Sequence, residues 1–574
     1  MGDTMEATHD LLILGSGLAG LRAAVEAAMV SKDQLDIAII SRVQLMRSHS
    51  VCAEGGTAAV LRPEDGDSLE LHAWDTVRGS DFLADQDVVW RFVQESPREI
   101  YQLDHWGIPW SRRPDGRINQ RPFGGHSFDR ATFAEDKTGF FEMHTLYDTL
   151  QKYARVKRYD ECYATAILID DGVFQGITLW DLSTGQFFPA RGKALVIATG
   201  GACRMYGFTT YSLTATGDGM AMAFRAGLAL KDMEFVQFHP TGLIPSGILI
   251  TEGARGEGGH LVNNKGERFM ERYAPSKMET APRDIVSRAE MTEILEGRGY
   301  TRPDGLDYVH IDLRHLGAAK INERLPLIRE VAIKFAFIDP IDQPIPIRPA
   351  AHYTMGGIHA NIDGATEVEG IWAAGEVACT SMHGANRLGS NSTAECLVWG
   401  KITGDNAARH AAVQKSIAPA PEKKVRDEEN RVFNQLGNGD GSEDVYVIRT
   451  ELQRMMDQSV GVYREGPAME QALAKIAELK QRMKHVRAAD DSRIYNTNLV
   501  NIMETQNLID LAETIVAGGL NRTESRGAHS RRDFPARDDV NWLKHTLARY
   551  SPDGPGLSYS PVTINMWQPV ERKY

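Results

Sequence analysis

The stretch from residue 11 to residue 40 restricts the fold more than any other. An apolar run, Leu11-Leu12-Ile13-Leu14, leads into Gly15-Ser16-Gly17-Leu18-Ala19-Gly20, then an alanine-rich helix to about Val30, then a second apolar run, Ile37 to Ile40. Strand, glycine turn, helix and strand in that order form the opening βαβ unit of a dinucleotide-binding domain. The glycines have separate tasks: Gly15 makes the tight turn, Gly17 lets the backbone approach a pyrophosphate, and Gly20 lets helix and strand pack closely. The second strand ends in Ser41-Arg42, where an acid would bind the ribose hydroxyls. That departure counts against NAD more than against FAD.

The chain has 574 residues, a length suited to three or four domains. Its 77 acidic against 64 basic residues leave a formal charge of −13, which argues against nucleic acid as a partner. Cys52, Cys162, Cys203, Cys379 and Cys396 are scattered, with no CxxC pair. They therefore offer neither a zinc site, nor an iron–sulfur cluster, nor a disulfide framework, and imply a reducing compartment. The N-terminus carries acids where an export signal carries Lys or Arg, so no signal peptide is expected. The apolar stretch from Leu11 to Val30 is broken by Ser16, Arg22 and Glu26 and is not a spanning helix. Any membrane association is expected to come through a partner.

Further along, alternating runs from about Tyr163 to Ala190 are punctuated by Asp171-Gly172 and Ser183-Thr184-Gly185, which predicts a β-meander. Another buried strand, Ala194 to Ile197, closes on Gly200-Gly201. Residues 236–352 break the α/β rhythm, and Gly370-Ile371-Trp372-Ala373-Ala374-Gly375-Glu376 resumes it. A linker follows near residue 416; beyond it Met469, Leu473, Ile476, Leu479 and Met483 recur at helical spacing. The expected fold is α/β: a Rossmann-like FAD-binding domain (residues 1–235 and 353–413) interrupted by an α+β capping domain (236–352). A helical domain (425–530) and a C-terminal segment (531–574) come after it.

The segment Arg47-Ser48-His49-Ser50-Val51-Cys52-Ala53-Glu54-Gly55-Gly56 follows the second strand directly, where the far end of a nucleotide would lie. Its glycines imply close backbone approach to a flat or phosphorylated ligand, and His49 becomes a candidate contact to it. A second constellation, His239, Thr251, Arg283, His352 and Arg387 on glycine-flanked loops, offers the cations and donors that a small dicarboxylate needs at its two ends.

Together with Ala134-Glu-Asp-Lys-Thr-Gly139, Thr216-Gly-Asp218-Gly219, Gln237-Phe-His239-Pro-Thr241, Thr251-Glu252-Gly-Ala-Arg255, Ala281-Pro-Arg283-Asp284, His383-Gly-Ala-Asn-Arg387 and Glu524-Ser-Arg-Gly-Ala-His529, these motifs run from about residue 10 to residue 550. In that order the chain resembles the flavoprotein subunit of fumarate reductase and succinate dehydrogenase. The resemblance implies FAD joined covalently through His49, with Ser41, Arg42, Ser50, Glu54, Gly55, Gly56, Asp218, Glu376 and Ser392 around it and Gly15, Ser16, Gly17 and Gly20 at its pyrophosphate. It implies fumarate or succinate as substrate, held by His239, Thr251, His352 and Arg387. Arg283 would be the proton donor, fed through Glu252 and Arg255, a demanding role for a guanidinium of pKa above about 12. Glu54 stands where succinate dehydrogenases commonly have Gln, which favours a quinol:fumarate reductase. Because no cluster-forming cysteines occur, electrons are expected to pass to another protein, and the resemblance implies that this is an iron–sulfur subunit docked on a membrane anchor, with the chain on the cytoplasmic face of the membrane.

Overall fold

The computed structural model describes residues 6–572. Residues 1–5, part of the segment on which the expectation of no export signal rests, lie outside them. Leu11–Leu14 runs parallel between Ile37–Ile40 and Ala194–Ile197, and Ile371–Ala373 and Val156–Tyr159 complete a five-stranded parallel sheet. Alternate residues face opposite layers. Leu11, Ile13, Ile37 and Ile39 pack with Leu21, Val25 and Leu397, while Leu12, Leu14, Ala38 and Ile40 pack with Ile177, Leu179 and Phe188. Burial on both faces explains the unbroken apolar runs, at about 1.5–3 kcal/mol for each fully buried Leu or Ile.

One face is covered by the helices Leu18–Val30 and Asn391–Val413. They cross closely: a Cβ at Gly404 would lie 2.4 Å from the Ala23 carbonyl oxygen, so any larger residue would force the helices apart. The other face carries the meander Cys162–Asp170, Val173–Asp181 and Phe187–Arg191, whose first turn has Asp171 and Gly172 at φ of 49° and 76°. Two successive positive φ values match the strand twist of a tight hairpin.

The part of the chain that interrupts this sheet is rooted on its own strands. Val236–Leu243 and Ile345–Thr354 pair antiparallel, with His239 opposite Ala350, and Val309–Asp312 and His260–Val262 extend that sheet over a separate apolar cluster. Helices Val445–Ser459, Gly466–Arg482 and Thr497–Asn521 pack together, with Met469, Ile476 and Leu479 buried and Leu473 and Met483 partly so. The last strands, Lys544–Arg549 and Gly556–Pro561, do not stand apart. Lys544–Arg549 pairs with Leu230–Lys231 in a sheet that also holds Gly357–His359. No helix among the described residues is long and apolar enough to cross a membrane.

Candidate active site

The carboxyl ends of the parallel strands and the root of the capping segment border one cavity of about 600 Å³. Of the residues singled out from the sequence, all but Gly20 and Arg255 line it. Gly15 turns the chain at φ 111°, and a Cβ at Gly20 would lie 1.9 Å from the Gly15 carbonyl oxygen, so Gly20 sits behind the turn and sets its closeness to the helix. Gly17 caps the helix with no side-chain bond and no acid in the first turn. The helix start thus presents amides and a positive dipole end toward the cavity. The Ser16 hydroxyl donates to the Leu45 carbonyl at 3.0 Å and to Ser41 Oγ at 3.1 Å, stitching the turn to the second strand.

Arg42, which stands after the second strand, is met by acids from elsewhere in the chain. Arg42 Nη1 donates to Asp218 Oδ2 at 2.7 Å, and Nη2 donates to Glu504 from the Thr497–Asn521 helix. Burial would lower the Arg42 guanidinium, but these two carboxylates outweigh it and hold it firmly charged.

His49 opens a short 3-10 turn, His49–Cys52, and its ring stacks on Tyr211 at 4.7 Å between centroids. The Ser212 N–H donates to Nδ1 at 3.4 Å, and burial depresses the imidazole to about 4, so His49 is a neutral base. The Tyr211 hydroxyl donates to Glu376, which also accepts from Thr354 N at 2.8 Å; burial raises Glu376 to about 8. Glu54 is pushed well above the carboxylate range by burial and by Asp136. Gly55 lies against Phe123, and Gly56, at φ 132°, against the backbone of Thr132.

At the other end, strand pairing brings His239 and His352 together with ring centroids 4.8 Å apart. Thr241 N donates to His239 Nδ1 at 3.2 Å, which leaves the Nε2 proton, buried and without a hydrogen-bond partner, on the cavity side. Thr210 Oγ1 meets His352 Nδ1 at 2.8 Å. Burial, then Arg283, keeps both rings well below the usual histidine pKa, and hence neutral. Thr251 caps the short helix Glu252–Gly256, its Oγ1 accepting from Gly253 N at 3.3 Å.

Arg283 is the first residue of the helix Arg283–Glu293. Its Nε donates to Glu252 Oε2 at 2.7 Å and its Nη1 to Gln237 Oε1 at 3.0 Å, while Gly124 N donates to Glu252 Oε1 at 2.7 Å. Burial would raise Glu252, but Arg283, Arg255 and these donors win and keep it an anion. Arg255 stands behind, its Nη2 3.7 Å from Glu252 and its Nη1 donating to the Glu279 carbonyl. Arg387 lies over the Tyr353 ring at 4.4 Å and donates from Nη1 to Ser392 Oγ at 2.9 Å; its Nε is buried without a partner. Burial and the neighbouring Arg283 lower Arg387 to about 9, still charged near neutrality.

Gln237, Gly124, Tyr211, Tyr353 and Glu504 were not singled out from the sequence as site residues. Gln237 and Tyr353 lie inside quoted or flanking motifs, and a role for Gln237 was within reach there. Tyr211 and Glu504 carry no local signal.

Among the residues lining the cavity, Thr199 Oγ1, His239 Nε2, Arg387 Nε and Ser390 Oγ are buried donor atoms without a hydrogen-bond partner, and Glu54 Oε2 is a buried carboxyl oxygen without one. With the uncapped helix start they fit an elongated, phosphorylated cofactor in the strand-end half and a small anion beside Arg387.

Comparison with known proteins agrees. The model of the FAD binding domain matches residues 10–393, and that of the fumarate reductase flavoprotein C-terminal domain matches residues 449–574. The fumarate reductase flavoprotein subunit of Mycobacterium tuberculosis (strain ATCC 25618 / H37Rv) is 47% identical over 585 residues, covering 99% of this chain and all of its own. The succinate dehydrogenase flavoprotein subunit of Rickettsia felis is 42% identical, covering 97% of this chain and 95% of its own. A solved variant of the E. coli quinol fumarate reductase subunit FrdA superposes with a TM-score of 0.96 at 45% identity, covering 99% of each chain. The chain belongs to the FAD-binding family of fumarate reductase and succinate dehydrogenase flavoprotein subunits, and stands on the fumarate reductase side of it.

Proposed function

We propose that this chain interconverts fumarate and succinate, working as a fumarate reductase, and that His49 is joined covalently to its FAD. The observation that carries the reading is the convergence of Arg283, Arg387, His239, His352 and Thr251 on one end of the cavity whose other end has the nucleotide-binding turn. FAD supplies hydride exchange with the substrate.

The chain's own residues do the rest. Arg387 grips one carboxylate of the dicarboxylate, and the His239 Nε2–H and Thr251 hydroxyl meet the other as neutral donors. Neutral imidazoles suit this task, because they bind the anion without adding a proton that could leave at the wrong moment. Arg283 presents Nη2, which makes no hydrogen bond among the described residues, toward the substrate end. It stabilises charge building on the carbon next to the carboxylate and passes a proton to that carbon. Glu252, an anion at rest 2.7 Å from Arg283 Nε, takes up a proton from the side where Arg255 stands and hands it on to Arg283 in the same turnover, returning to the anion. Gln237 keeps the two arginines in register: its Oε1 accepts from Arg283 while its Nε2 donates to the Arg387 carbonyl at 2.7 Å.

At the other end the neutral His49 ring, stacked on Tyr211, is a nucleophile suited to attachment at a flavin methyl group. With FAD bound, such a link would exchange a methyl C–H and the imidazole N–H for a C–N bond, the two electrons passing into the flavin and on to its acceptor, and the electron-withdrawing nitrogen would raise the flavin's affinity for electrons. Electrons reach the site from an iron–sulfur subunit bound to a membrane anchor that handles quinone, and the chain is peripheral on the cytoplasmic face. The quinone pool then sets the direction, and succinate oxidation by the same residues is the reverse reaction. The test of the link is in-gel flavin fluorescence of the denatured protein after acid treatment. A fluorescent band, lost in His49→Ser, is expected; a dark wild-type band overturns the covalent assignment.

A further inference from the structure

We propose that Arg572, near the end of the chain, is a positioning residue: it clasps the helix that carries Arg283 to the nucleotide-binding part of the molecule. Arg572 Nη2 lies 2.7 Å from Asp284 Oδ2 and 3.0 Å from Asp81 Oδ2, in a setting where the three side chains are 9%, 0% and 7% exposed. Asp284 is the residue after Arg283, in the first turn of the capping segment's helix. Asp81 lies in the turn between the helices Leu69–Gly79 and Gln86–Trp106, outside the capping segment. One guanidinium therefore ties the start of the helix that carries Arg283 to a turn of the nucleotide-binding part about 200 positions earlier in the chain.

Both ends of the clasp are built rather than incidental. Asp81 holds a positive φ of 55° and is fixed by Gly527 N at 2.8 Å on Oδ2 and Arg537 Nη1 at 2.8 Å on Oδ1. Asp284 Oδ2 also accepts from Arg288 Nη2 at 3.0 Å, and Arg288 in turn donates to the Gly527 carbonyl at 2.8 Å. The segment leading to Arg572 is anchored as well. Gln86 Oε1 accepts from the backbone N–H groups of Asn565, Met566 and Trp567, and its Nε2 donates to the Trp567 carbonyl at 2.7 Å. The strap thus runs from the start of the Gln86–Trp106 helix to the start of the Arg283–Glu293 helix.

The consequence falls on Arg283. Its Nε–Glu252 bond of 2.7 Å tolerates little movement of the helix start, and a misplacement of about 1 Å at a reacting group costs on the order of a hundredfold in rate. An acid in the first turn of a helix is already favoured by the dipole, and a guanidinium across it fixes where that turn sits.

The inference rests on the proposed role of Arg283 in fumarate reduction, and the test separates the two. Fumarate reduction is measured in the assembled holoenzyme for wild type, Arg572→Ala, Arg572→Lys, Asp81→Asn and the double variant Arg572→Ala/Asp81→Asn, with flavin content and thermal midpoint alongside. The clasp predicts that Arg572→Ala lowers kcat about tenfold or more with flavin retained. Arg572→Lys keeps a charged nitrogen that can face both acids, as the single Nη2 does, but on a stem of different length and hydration, and restores part of it. The Asp81→Asn loss overlaps with that of Arg572→Ala, so the two are not additive. A kcat and KM within about twofold of wild type in Arg572→Ala overturn the clasp, even with a lowered thermal midpoint. Additive losses in the double variant overturn it equally. Should Arg572→Ala fail to assemble, Asp81→Asn against Arg572→Lys decides by the same criteria. A wild-type enzyme without fumarate turnover would instead count against the function itself.

Discussion

Replacing Gly124 by alanine probes the relay through a residue that touches no substrate. The Gly124 N–H donates to Glu252 Oε1 at 2.7 Å, and a Cβ at this position would lie 2.2 Å from that same oxygen. The carboxylate cannot yield freely, since Oε2 is held by Arg283 Nε at 2.7 Å. Either the loop withdraws and its hydrogen bond to the anion is lost, or Glu252 turns away from Arg283. A hydrogen bond to a charged group contributes about 1.5–3 kcal/mol, which corresponds to a fall of about 10- to 150-fold in kcat if Glu252 acts in the rate-limiting proton transfer. Gly256→Ala is the matched control on the same helix as Glu252, because its Cβ would meet only the Pro122 carbonyl oxygen at an ordinary 3.4 Å. The assay is steady-state fumarate reduction with flavin content measured in parallel. A Gly124→Ala enzyme with full flavin and kcat within about threefold of the control would refute the reasoning.

Arg387→Ala removes the one charged grip on the far carboxylate, and dicarboxylate affinity measured with malonate is expected to weaken at least about a hundredfold, given about 3 kcal/mol for a charge-assisted bidentate contact; an unchanged affinity would contradict the clamp. His239 and His352, held neutral by burial first and by Arg283 next, titrate far below their usual range. Malonate affinity should therefore stay level from about pH 6.5 to 8, whereas a tenfold loss per pH unit would show that an imidazolium binds the anion. The same depressed values make the unfolded chain bind protons that the folded chain does not. Stability should fall as pH drops below about 6.5, by about 1.4 kcal/mol per pH unit for each histidine, as read by denaturant titration.

The nucleotide-binding turn was legible because its signal is local. Four apolar residues, three glycines and an alanine-rich helix lie within 20 residues of one another, and the positive φ of Gly15 and the crowding at Gly20 are what those glycines are for. The meander was legible for the same reason, through Asp171-Gly172. The substrate end was legible as a set of residue types, but their meeting depends on pairing across 113 positions of chain, His239 with His352, that no local pattern encodes. Glu504 and Arg572 carry no such hint: Glu504 meets Arg42 from 462 positions away, and Arg572 meets Asp284 from 288. The acid expected after the second strand illustrates this. Its absence was visible at Ser41-Arg42, and Asp218 stood out in its own motif, but that Asp218 and Glu504 both pair with Arg42 becomes evident only once the helices are packed.

Fumarate reduction in this site turns above all on Arg283 delivering the proton while Glu252 relays the next one to it. Arg283→Gln keeps a side chain of related shape and the bond to Gln237 within reach, but removes the charge and the Nε–Glu252 contact. The decisive measurement is fumarate turnover by this variant in the assembled enzyme with its flavin spectrum recorded. Loss of turnover by about 10⁴-fold or more with flavin fully bound is the expected result. A flavin-loaded Arg283→Gln enzyme that still reduces fumarate within about tenfold of wild type would place the proton donor elsewhere.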